Sequence, residues 1–295
     1  MRICYIYNPN SGGNRRNPSL FKELQRRTAA DPGDLLVTQR PCHATELGRE
    51  AVARGFDRVV AVGGDGTMNE VAQALLGTGV PLGLVPCGSG NGLALHLGIP
   101  LRAMDALALA CDPLARIKAM DTGVADGHPF SNAMGVGLDA EISLRFNRLT
   151  RRGLPAYVRT TMGAFVKHRP VEYQITDEAG DTRTLRAMIV AVANSDQYGN
   201  KAYIAPGASV DDGRLNLMAL SPMNPLRLGV LVFRLFNGTL HKSRAATSLV
   251  GSSFIIERPA AGPLHTDGET HEAGTRILVS VRPASLKILT PQTSN

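Results

Sequence analysis

VVAVGGDGTMNEV, residues 59–71, is an apolar run that ends at two glycines and continues into an acid and a helix-like pattern. Glycine lets the backbone take positive φ and lets a ligand approach closely, which any residue with a Cβ resists. The stretch therefore predicts a buried strand, a glycine-rich turn at residues 63–66 and a helix that begins near Thr67.

The start of that helix offers unpaired N–H groups and the positive end of the helix dipole, so the turn favours an anion, most simply a phosphate. Asp65 conflicts with this prediction, because a bare carboxylate repels phosphate. A Mg²⁺ ion between the carboxylate and a nucleotide phosphate would remove the conflict. The alternative is that Asp65 and Thr67 only cap the helix.

A second turn of the same kind lies in LGLVPCGSGNGLALHLG, residues 82–98. Residues 82–85 form a short apolar strand, the glycine-rich segment 88–92 follows, and helical spacing resumes at Leu93. Turns that follow neighbouring parallel strands meet at one edge of the sheet, where such sheets bind ligands. Together the two turns predict a nucleoside triphosphate site.

The composition is that of an ordinary globular protein, with 43% hydrophobic and 19% charged residues in 295. The four cysteines show no C-x-x-C spacing, which indicates reduced structural thiols rather than a zinc site. We expect no signal peptide, because the first residues lack a long apolar region and a cleavage site. The apolar stretch 226–238 is too short to span a membrane and predicts a packed helix.

The net charge of +7 favours an anionic partner. Nucleic acid is not expected, because the chain has no Trp and no basic segment with interleaved aromatic residues. Attraction to an anionic membrane surface is the other interpretation. The densest basic stretch is RFNRLTRRGLPAYVR at 145–159, where Arg145, Arg148 and Arg152 would share a helix face. A merely solvated face is the commoner explanation of such a run.

Strand and helix patterns alternate up to about residue 121, which predicts a parallel sheet covered by helices. Beyond it the chain offers mainly strands, at 171–176, 185–194, 214–221, 252–258, 276–283 and 285–290. We therefore expect an α/β three-layer domain at 1–121 and a β-sandwich domain at 122–295, whose last residues return to the first domain. A catalytic cleft between two such domains is the expected arrangement.

The order of six motifs resembles the diacylglycerol kinase catalytic family, which includes bacterial lipid kinases and sphingosine and ceramide kinases. In this sequence they read NPNSGG (8–13), GGDGTMNEV (63–71), PCGSGNGLALHLG (86–98), NAMGVGLDAEI (132–142), IAPGASVDDGRLNL (204–217) and HTDGET (265–270). The resemblance covers nearly the whole chain, and its second and third motifs are specific. The fold that it implies, an N-terminal α/β nucleotide domain followed by a β-sandwich, agrees with the pattern of strands and helices.

The resemblance also implies which residues bind ATP. They are Asn8, Pro9, Asn10, Ser11, Gly12, Thr38, Gly63, Gly64, Asp65, Gly66, Thr67, Met68, Asn69 and Ser89. Members of the family hold ATP without a P-loop lysine. Asp65 would act through the Mg²⁺ of the phosphates or through an ordered hydrogen-bond network, and Thr67 would cap the helix and touch phosphate.

The DDGR stretch resembles a structural Mg²⁺ site of the bacterial members. Its ligands would be the Asp212 carboxylate and the carbonyls of Ser209 and Arg214, and oxygen ligands suit this hard cation. The alternative is a β-turn, since Asp-Gly is a common hairpin signal.

The acids of TDGE bear on the chemistry, because phosphoryl transfer needs a base that accepts the proton of the attacking hydroxyl. By resemblance Asp267 is that base, and Glu269 reaches the nucleotide or shares the proton work. Asp139 corresponds to a family acid near the lipid headgroup, where it would hold a hydroxyl or an amine. A charge at the N-terminus of a helix is the alternative role for Asp139.

We therefore expect a lipid kinase that depends on ATP and Mg²⁺ and works at the cytoplasmic face of a membrane. Many bacterial relatives carry an Asp where this chain has Gly92, and GSGNGLA looks closer to sphingosine and ceramide kinases. This difference favours a sphingoid base as the acceptor, and diacylglycerol or a related glycerolipid is the second choice. The sequence leaves open whether the chain is a monomer or a homodimer.

Three other classes of function compete. An NAD kinase shares the GGDGT turn and the two-domain plan, but PCGSGN is typical of the lipid kinases. A dehydrogenase fits less well, because GSGNG lacks the G-x-G-x-x-G spacing. A binding protein that has lost catalysis is the third, although Asp65, Thr67, Asp267 and Glu269 are all present.

Overall fold

The computed structural model describes residues 1–31, 34–147, 168–222 and 225–292. The chain forms two compact units, of which unit 1 comprises Met1–Met120 and Ala284–Asn295, and unit 2 comprises Asp121–Pro283. Arg148 and Arg152 of the predicted basic face lie outside the described residues. In the part of the chain that is described, no helix is both long and apolar enough to cross a membrane.

Unit 1 is built on a parallel sheet whose central strands are buried and whose edge strand at residues 35–37 is half-buried. The strands are β1 (Ile3–Tyr7), β2 (Leu35–Val37), β3 (Arg58–Gly63), β4 (Leu82–Pro86) and the end of the last strand, β16 (Arg276–Thr290). They lie in the order β2-β1-β3-β4-β16, and every pair is parallel. The helices between them are α1 (Pro18–Arg27), α2 (His43–Ala53), α3 (Asp65–Leu75), α4 (Gly92–His96) and α5 (Ala103–Cys111).

Unit 2 is an antiparallel β-sandwich. One sheet has the order β16-β13-β8-β9, with β5 and β6 attached through β16, and the other has the order β12-β11-β10-β7-β14-β15. The strands are β5 (Arg116–Ala125), β6 (His128–Phe130), β7 (Ala133–Gly137), β8 (Val171–Asp177), β9 (Thr182–Ala187), β10 (Ile189–Ala193), β11 (Leu215–Leu220), β12 (Ala246–Gly251), β13 (Ser253–Glu257), β14 (Gly262–Thr266) and β15 (Glu269–Ala273). The helices are α6 (Leu138–Asn147) and α7 (Pro225–Phe236).

The core of the sandwich follows from the alternation of side chains along each strand. Val190 and Val192 of β10 face the other sheet and pack near Tyr173, Phe254 and Val279 in one buried cluster. Ala191 and Ala193 of the same strand point to the outer face of their sheet. There they form a second cluster with loop residues and with Leu231 and Leu235 of α7. The predicted fold class, α/β followed by a β-sandwich, is confirmed.

Several predicted elements differ from the observed ones. The predicted strand 185–194 is two strands that part at Met188, because β9 pairs with β8 in one sheet and β10 pairs with β11 in the other. The predicted strands 276–283 and 285–290 are one strand, β16. The apolar segment 226–238 forms α7, which packs through one face only, since Phe233 and Phe236 are exposed.

Candidate active site

The first turn, residues 8–13, leaves the carboxyl end of β1. The Asn8 Nδ2 donates a hydrogen bond to Thr67 Oγ1 at 2.8 Å, and the Asn8 Oδ1 accepts the N–H of Asn10 at 2.9 Å. The buried Asn14 Nδ2 donates to the carbonyls of Asn8 and Val62. The side chain of Asn8 thus ties the first turn to the one that follows β3.

The second turn, residues 63–67, starts α3 two residues earlier than predicted. Gly64 is in an extended conformation just before the helix, so α3 begins at Asp65. Thr67 is the third residue of the helix, and its buried hydroxyl accepts the hydrogen bond from Asn8. The prediction that Thr67 caps the helix is therefore wrong, because the cap position belongs to Gly64.

Asp65 joins the second turn to the third turn, residues 87–92. Its Oδ2 accepts the N–H of Asn91 and its Oδ1 accepts the N–H of Gly92, each at 2.8 Å. Burial raises the pKa of Asp65, although these two N–H groups act in the opposite direction. The Asp65 carboxylate, which would repel a bare phosphate, therefore binds two backbone N–H groups of the third turn.

The third turn depends on Asn91, which takes a left-handed conformation with φ of 52°. Its Oδ1 accepts the N–H of Gly88 and its Nδ2 donates to the carbonyl of Gly88. The Ser11 hydroxyl and the Gly13 N–H both donate to the carbonyl of Cys87, at 2.8 Å each. The three turns (8–13, 63–67 and 87–92) therefore form one connected three-turn cluster at the carboxyl ends of β1, β3 and β4.

The remaining predicted ATP contacts lie in or beside this cluster. Thr38 follows β2, is buried, and donates its N–H to the carbonyl of Tyr7. Ser89 is exposed at the tip of the third turn. Met68 and Asn69 are buried in the first turns of α3, and the Asn69 amide finds no hydrogen-bond partner within the described residues. A buried polar group without a partner is costly, so this amide fits a bound ligand.

Gly88→Ala should disrupt the three-turn cluster. A Cβ at Gly88 would lie 2.8 Å from the Gly64 Cα and 2.8 Å from the Asn91 Oδ1, and the backbone contact cannot relax by a rotamer change. We expect unit 1 to lose about 1–3 kcal/mol of stability, the usual cost of overpacking. Thermal unfolding without ATP measures this loss.

Gly66→Ala is the matched control for that experiment. Gly66 lies in α3, and a Cβ there would meet nothing within 4 Å. Alanine is the better helix former, so this variant should be as stable as the parent or slightly more stable. Equal melting temperatures for all three proteins would contradict the close packing of the turns.

In unit 2, Asp267 lies on the two-residue turn between β14 and β15. Asp267 and Gly268 have φ of 49° and 85°, the pattern of a type I′ turn, which favours Asp-Gly. The Asp267 Oδ2 accepts the N–H of Ser131, and its Oδ1 accepts those of Asn132 and Ala133. Burial raises the pKa of Asp267, while the three N–H groups and His265 lower it.

Two sets of contacts fix this turn. The buried Asn194 donates to the carbonyls of Asp121 and Ser131, and the Ser195 hydroxyl donates to the Asn132 Oδ1. At the other end of the hairpin, the Arg258 guanidinium donates to four carbonyls, which belong to Gly262, Pro263, Ala273 and Gly274. The hairpin that carries Asp267 is therefore held at its turn and at its open end.

Asp139 is the second residue of α6 and is buried. The Tyr198 hydroxyl donates to its Oδ2, and the His265 Nε2 lies 3.1 Å from the same oxygen. The Gly268 N–H points at the His265 Nδ1, at 3.3 Å. The His265 Nε2 makes no hydrogen bond within the described residues, so its contact with Asp139 is one of proximity. His265 thus links Asp139 to the turn of Asp267, and Glu269 begins β15 beside that turn, half-buried.

The predicted metal residues lie in the loop before β11. The Asp212 Oδ1 accepts the N–H of Arg214 at 3.0 Å, and the Ser209 hydroxyl donates to Asp211. The Gly213 N–H donates to the buried Asp121 carboxylate at 2.7 Å. The exposed Asp212 carboxylate and the loop carbonyls are oxygen donors of the kind that Mg²⁺ takes. The loop is also closed by hydrogen bonds of its own, as the β-turn alternative requires.

Residues with a part in these arrangements that were not predicted as site residues include Asn14, Asn91, Asn194, Tyr198, Arg258 and His265. His265 lies two residues before Asp267. Prediction of a strand at residues 262–266 would therefore have placed both residues at one end of a hairpin. Tyr198 and Arg258 act on partners far away in the sequence or on backbone carbonyls, and neither gives a local signal.

Two family models match this chain and together cover most of it. The diacylglycerol kinase catalytic domain matches residues 2–125, and the YegS C-terminal NAD kinase beta sandwich-like domain matches residues 132–290. Both matches agree with the α/β fold of unit 1 and with the sandwich of unit 2.

Similar proteins are found among curated sequences and solved structures. The diacylglycerol kinase of Bacillus subtilis is 32% identical over 232 residues, which cover 76% of this chain and 75% of that one. The structure of a putative diacylglycerol kinase from Bacillus anthracis has a TM-score of 0.80 at 22% identity and covers 98% of this chain and 95% of that one. An NAD kinase from Archaeoglobus fulgidus in complex with ATP has a TM-score of 0.54 at 13% identity, with coverage of 98% and 94%.

Proposed function

Because the chain belongs to the diacylglycerol kinase family, we propose that it is a lipid kinase that moves the γ-phosphoryl group of ATP to a primary hydroxyl of a membrane lipid. Membership of a kinase family supports the activity and makes ATP the natural donor. The observation that carries the proposal is the three-turn cluster, which provides backbone N–H groups without a lysine.

In this proposal the three-turn cluster holds the phosphates of ATP. Glycine-rich turns at the ends of parallel strands expose N–H groups, and the N-terminus of α3 adds its dipole. The buried Asn69 amide, which has no partner within the described residues, is a ready contact for the nucleotide. Asp65 holds the third turn in place. Mg²⁺, when bound, would neutralise charge on the phosphates.

Asp267 is proposed as the general base. A carboxylate whose pKa is raised accepts a proton more readily, which suits a base that removes the proton of the attacking hydroxyl. The three backbone N–H groups fix its orientation before the substrate arrives. Asp139 and His265 are positioning residues in this scheme, because they hold α6 and the Asp267 turn together.

For the acceptor, we propose diacylglycerol or a related glycerolipid first and a sphingoid base second. The name of the Bacillus subtilis relative supports the first choice. Gly92 supports the second only by resemblance. In the structure this residue starts α4, and its N–H donates to Asp65. The backbone makes this contact, so it neither requires glycine nor depends on the acceptor.

The test is transfer of labelled γ-phosphate from ATP to lipid dispersed in detergent micelles. Diacylglycerol, sphingosine and ceramide are compared with a control without lipid, each with and without Mg²⁺. We expect a labelled phospholipid that depends on Mg²⁺, with diacylglycerol as the best acceptor.

The alternatives give distinct results in the same assay. Label in NAD instead of lipid would favour the NAD kinase hypothesis, for which the likeness to the Archaeoglobus fulgidus enzyme shows the fold alone. ATP binding without label in any acceptor would contradict the kinase proposal and favour a binding protein.

A further inference from the structure

We propose that α7 docks this protein on an anionic membrane surface by inserting its solvent-facing apolar side chains among the lipid headgroups. The inference rests on the proposed function in one respect, since a kinase for membrane lipids must reach them. It concerns a helix of unit 2 that contains none of the predicted site residues.

The helix is apolar on both faces, although only one of them is packed. Leu231 and Leu235 lie against the outer face of the six-stranded sheet, in the cluster of Ala191, Met218 and Leu240. On the other side the exposed side chains are Val230, Val232, Phe233 and Phe236. Phe233 is 67% exposed, which is unusual for a side chain of this size.

These side chains form a stripe, because successive residues of a helix are rotated by 100°. Phe233 lies three residues after Val230 and three before Phe236, so the three side chains follow one another along one side of α7. A contiguous apolar patch on a helix marks an interaction site more often than scattered single residues do.

The charged residues in the sequence around α7 indicate which partner binds its apolar stripe. From Gly213 to Ile256 the sequence contains no Asp or Glu, and the Lys and Arg residues of this stretch are Arg214, Arg227, Arg234, Lys242 and Arg244. Lys242 and Arg244 are exposed directly after the helix. A stretch of sequence with five basic residues and no acidic one complements anionic headgroups. It disfavours a second copy of the same surface, because like charges would face each other.

The length of α7 fits a helix that lies in the membrane plane. Its 12 residues extend about 18 Å, less than the hydrocarbon core of a bilayer. Interfacial helices of this kind bury their apolar face in the headgroup region and place Lys and Arg beside it. Arg234 follows Phe233 directly on this helix, and its guanidinium donates to the carbonyl of Thr239, just beyond the helix end.

Leu278 provides a matched control. It is 55% exposed, comparable to Phe233, but it lies on β16, whose core-facing neighbours Ile277 and Val279 belong to the interior of the sandwich. Its side chain therefore lies on the outer face of the other sheet, opposite the face that carries α7. A docking surface centred on α7 does not include it.

The first experiment is flotation of the full chain with vesicles of phosphatidylglycerol and phosphatidylcholine, and with vesicles of phosphatidylcholine alone. We expect binding to the anionic vesicles, and a loss of at least about tenfold in the Phe233→Ser/Phe236→Ser variant, because binding scales with buried apolar area. Leu278→Ser should bind like the parent. Equal binding by all three proteins, or no binding by the parent, would overturn the proposal.

A second experiment does not depend on removing apolar surface. The chain has no Trp, so Phe233→Trp introduces a single indole reporter. Its emission should shift to shorter wavelength with anionic vesicles, whereas that of Leu278→Trp should not. An unchanged emission from Phe233→Trp would contradict insertion. A second result would also contradict insertion: a parent protein that is a dimer and a double serine variant that is a monomer. The stripe would then join two copies of the chain.

These results are separable from the kinase assay. Transfer to lipid in detergent micelles does not require a bilayer, so a chain that phosphorylates micellar lipid but ignores vesicles refutes the docking proposal alone. A chain that floats with vesicles through Phe233 but labels no lipid refutes the kinase proposal alone.

Discussion

Asp267→Asn is expected to lower the rate of phosphoryl transfer by about 10²–10⁴-fold, the usual contribution of a general base, while ATP binds with near-normal affinity. Asparagine keeps one oxygen for the N–H groups of Asn132 and Ala133, sets its amide N–H against that of Ser131, and cannot take up a proton at neutral pH. Labelled phosphate transfer gives the rate, and calorimetric titration gives the affinity for ATP.

The pH dependence of the parent provides an independent readout. Burial raises the pKa of Asp267, and only its ionised form can accept a proton. Activity should therefore fall as the pH falls through this raised pKa, at a pH above the usual range for aspartate. Glu269→Gln serves as the comparison. If Asp267→Asn stays active and Glu269→Gln does not, the base is Glu269.

Asp65→Asn is expected to have the second largest effect on stability and activity. The asparagine side chain has one acceptor oxygen, and its nitrogen is a donor. Asp65 accepts two backbone N–H groups, and an asparagine amide would set its own N–H against one of them. A buried N–H without an acceptor costs about 1–3 kcal/mol. We expect a loss of stability of this size and a fall of about tenfold or more in kcat/KM for ATP, since the third turn is displaced.

The control is Asp105→Asn, which changes an exposed acid in the first turn of α5 and should leave both quantities unchanged. A titration with Mg²⁺ separates the two roles considered for Asp65. If the variant needs more Mg²⁺ than the parent, the carboxylate also acts through the metal. If the Mg²⁺ profile is the same, the carboxylate acts only by holding the turn, and the bridging role is refuted.

Local sequence was sufficient for the parallel sheet of unit 1. Apolar runs such as 59–62 and 82–85 precede glycine-rich segments, and both the strand and the turn leave a local signal. The structural role of Asp65 has no local sequence signal, because its partners are 26 and 27 residues away. The position of their N–H groups also depends on the left-handed conformation of Asn91. A residue that binds the backbone of a distant turn cannot be distinguished by pattern from one that binds an ion.

The strands of unit 2 were harder to predict from the sequence, because their pairing also depends on distant partners. The apolar run 185–194 reads as one strand, yet the chain passes from one sheet to the other at Met188, and sheet partners are not encoded in local periodicity. The strands β14 and β15, read GPLHT and ETHEA, were missed because they contain few β-branched or aromatic residues. The family resemblance nevertheless identified Asp267, the residue that their turn carries.

The path of β16 has a consequence for how the protein is made. Unit 1 takes its fifth strand from the end of the chain, where Leu286, Ile288 and Leu289 are buried and Ile288 pairs with Leu82 of β4. During vectorial synthesis the first 120 residues therefore leave the ribosome with β4 as an unprotected sheet edge. That edge must wait for more than 160 further residues, and at typical rates of about 5–20 residues per second the exposure lasts on the order of ten seconds or more. The unit that is encoded first is completed last, so chaperone capture of the nascent chain should concentrate in this interval.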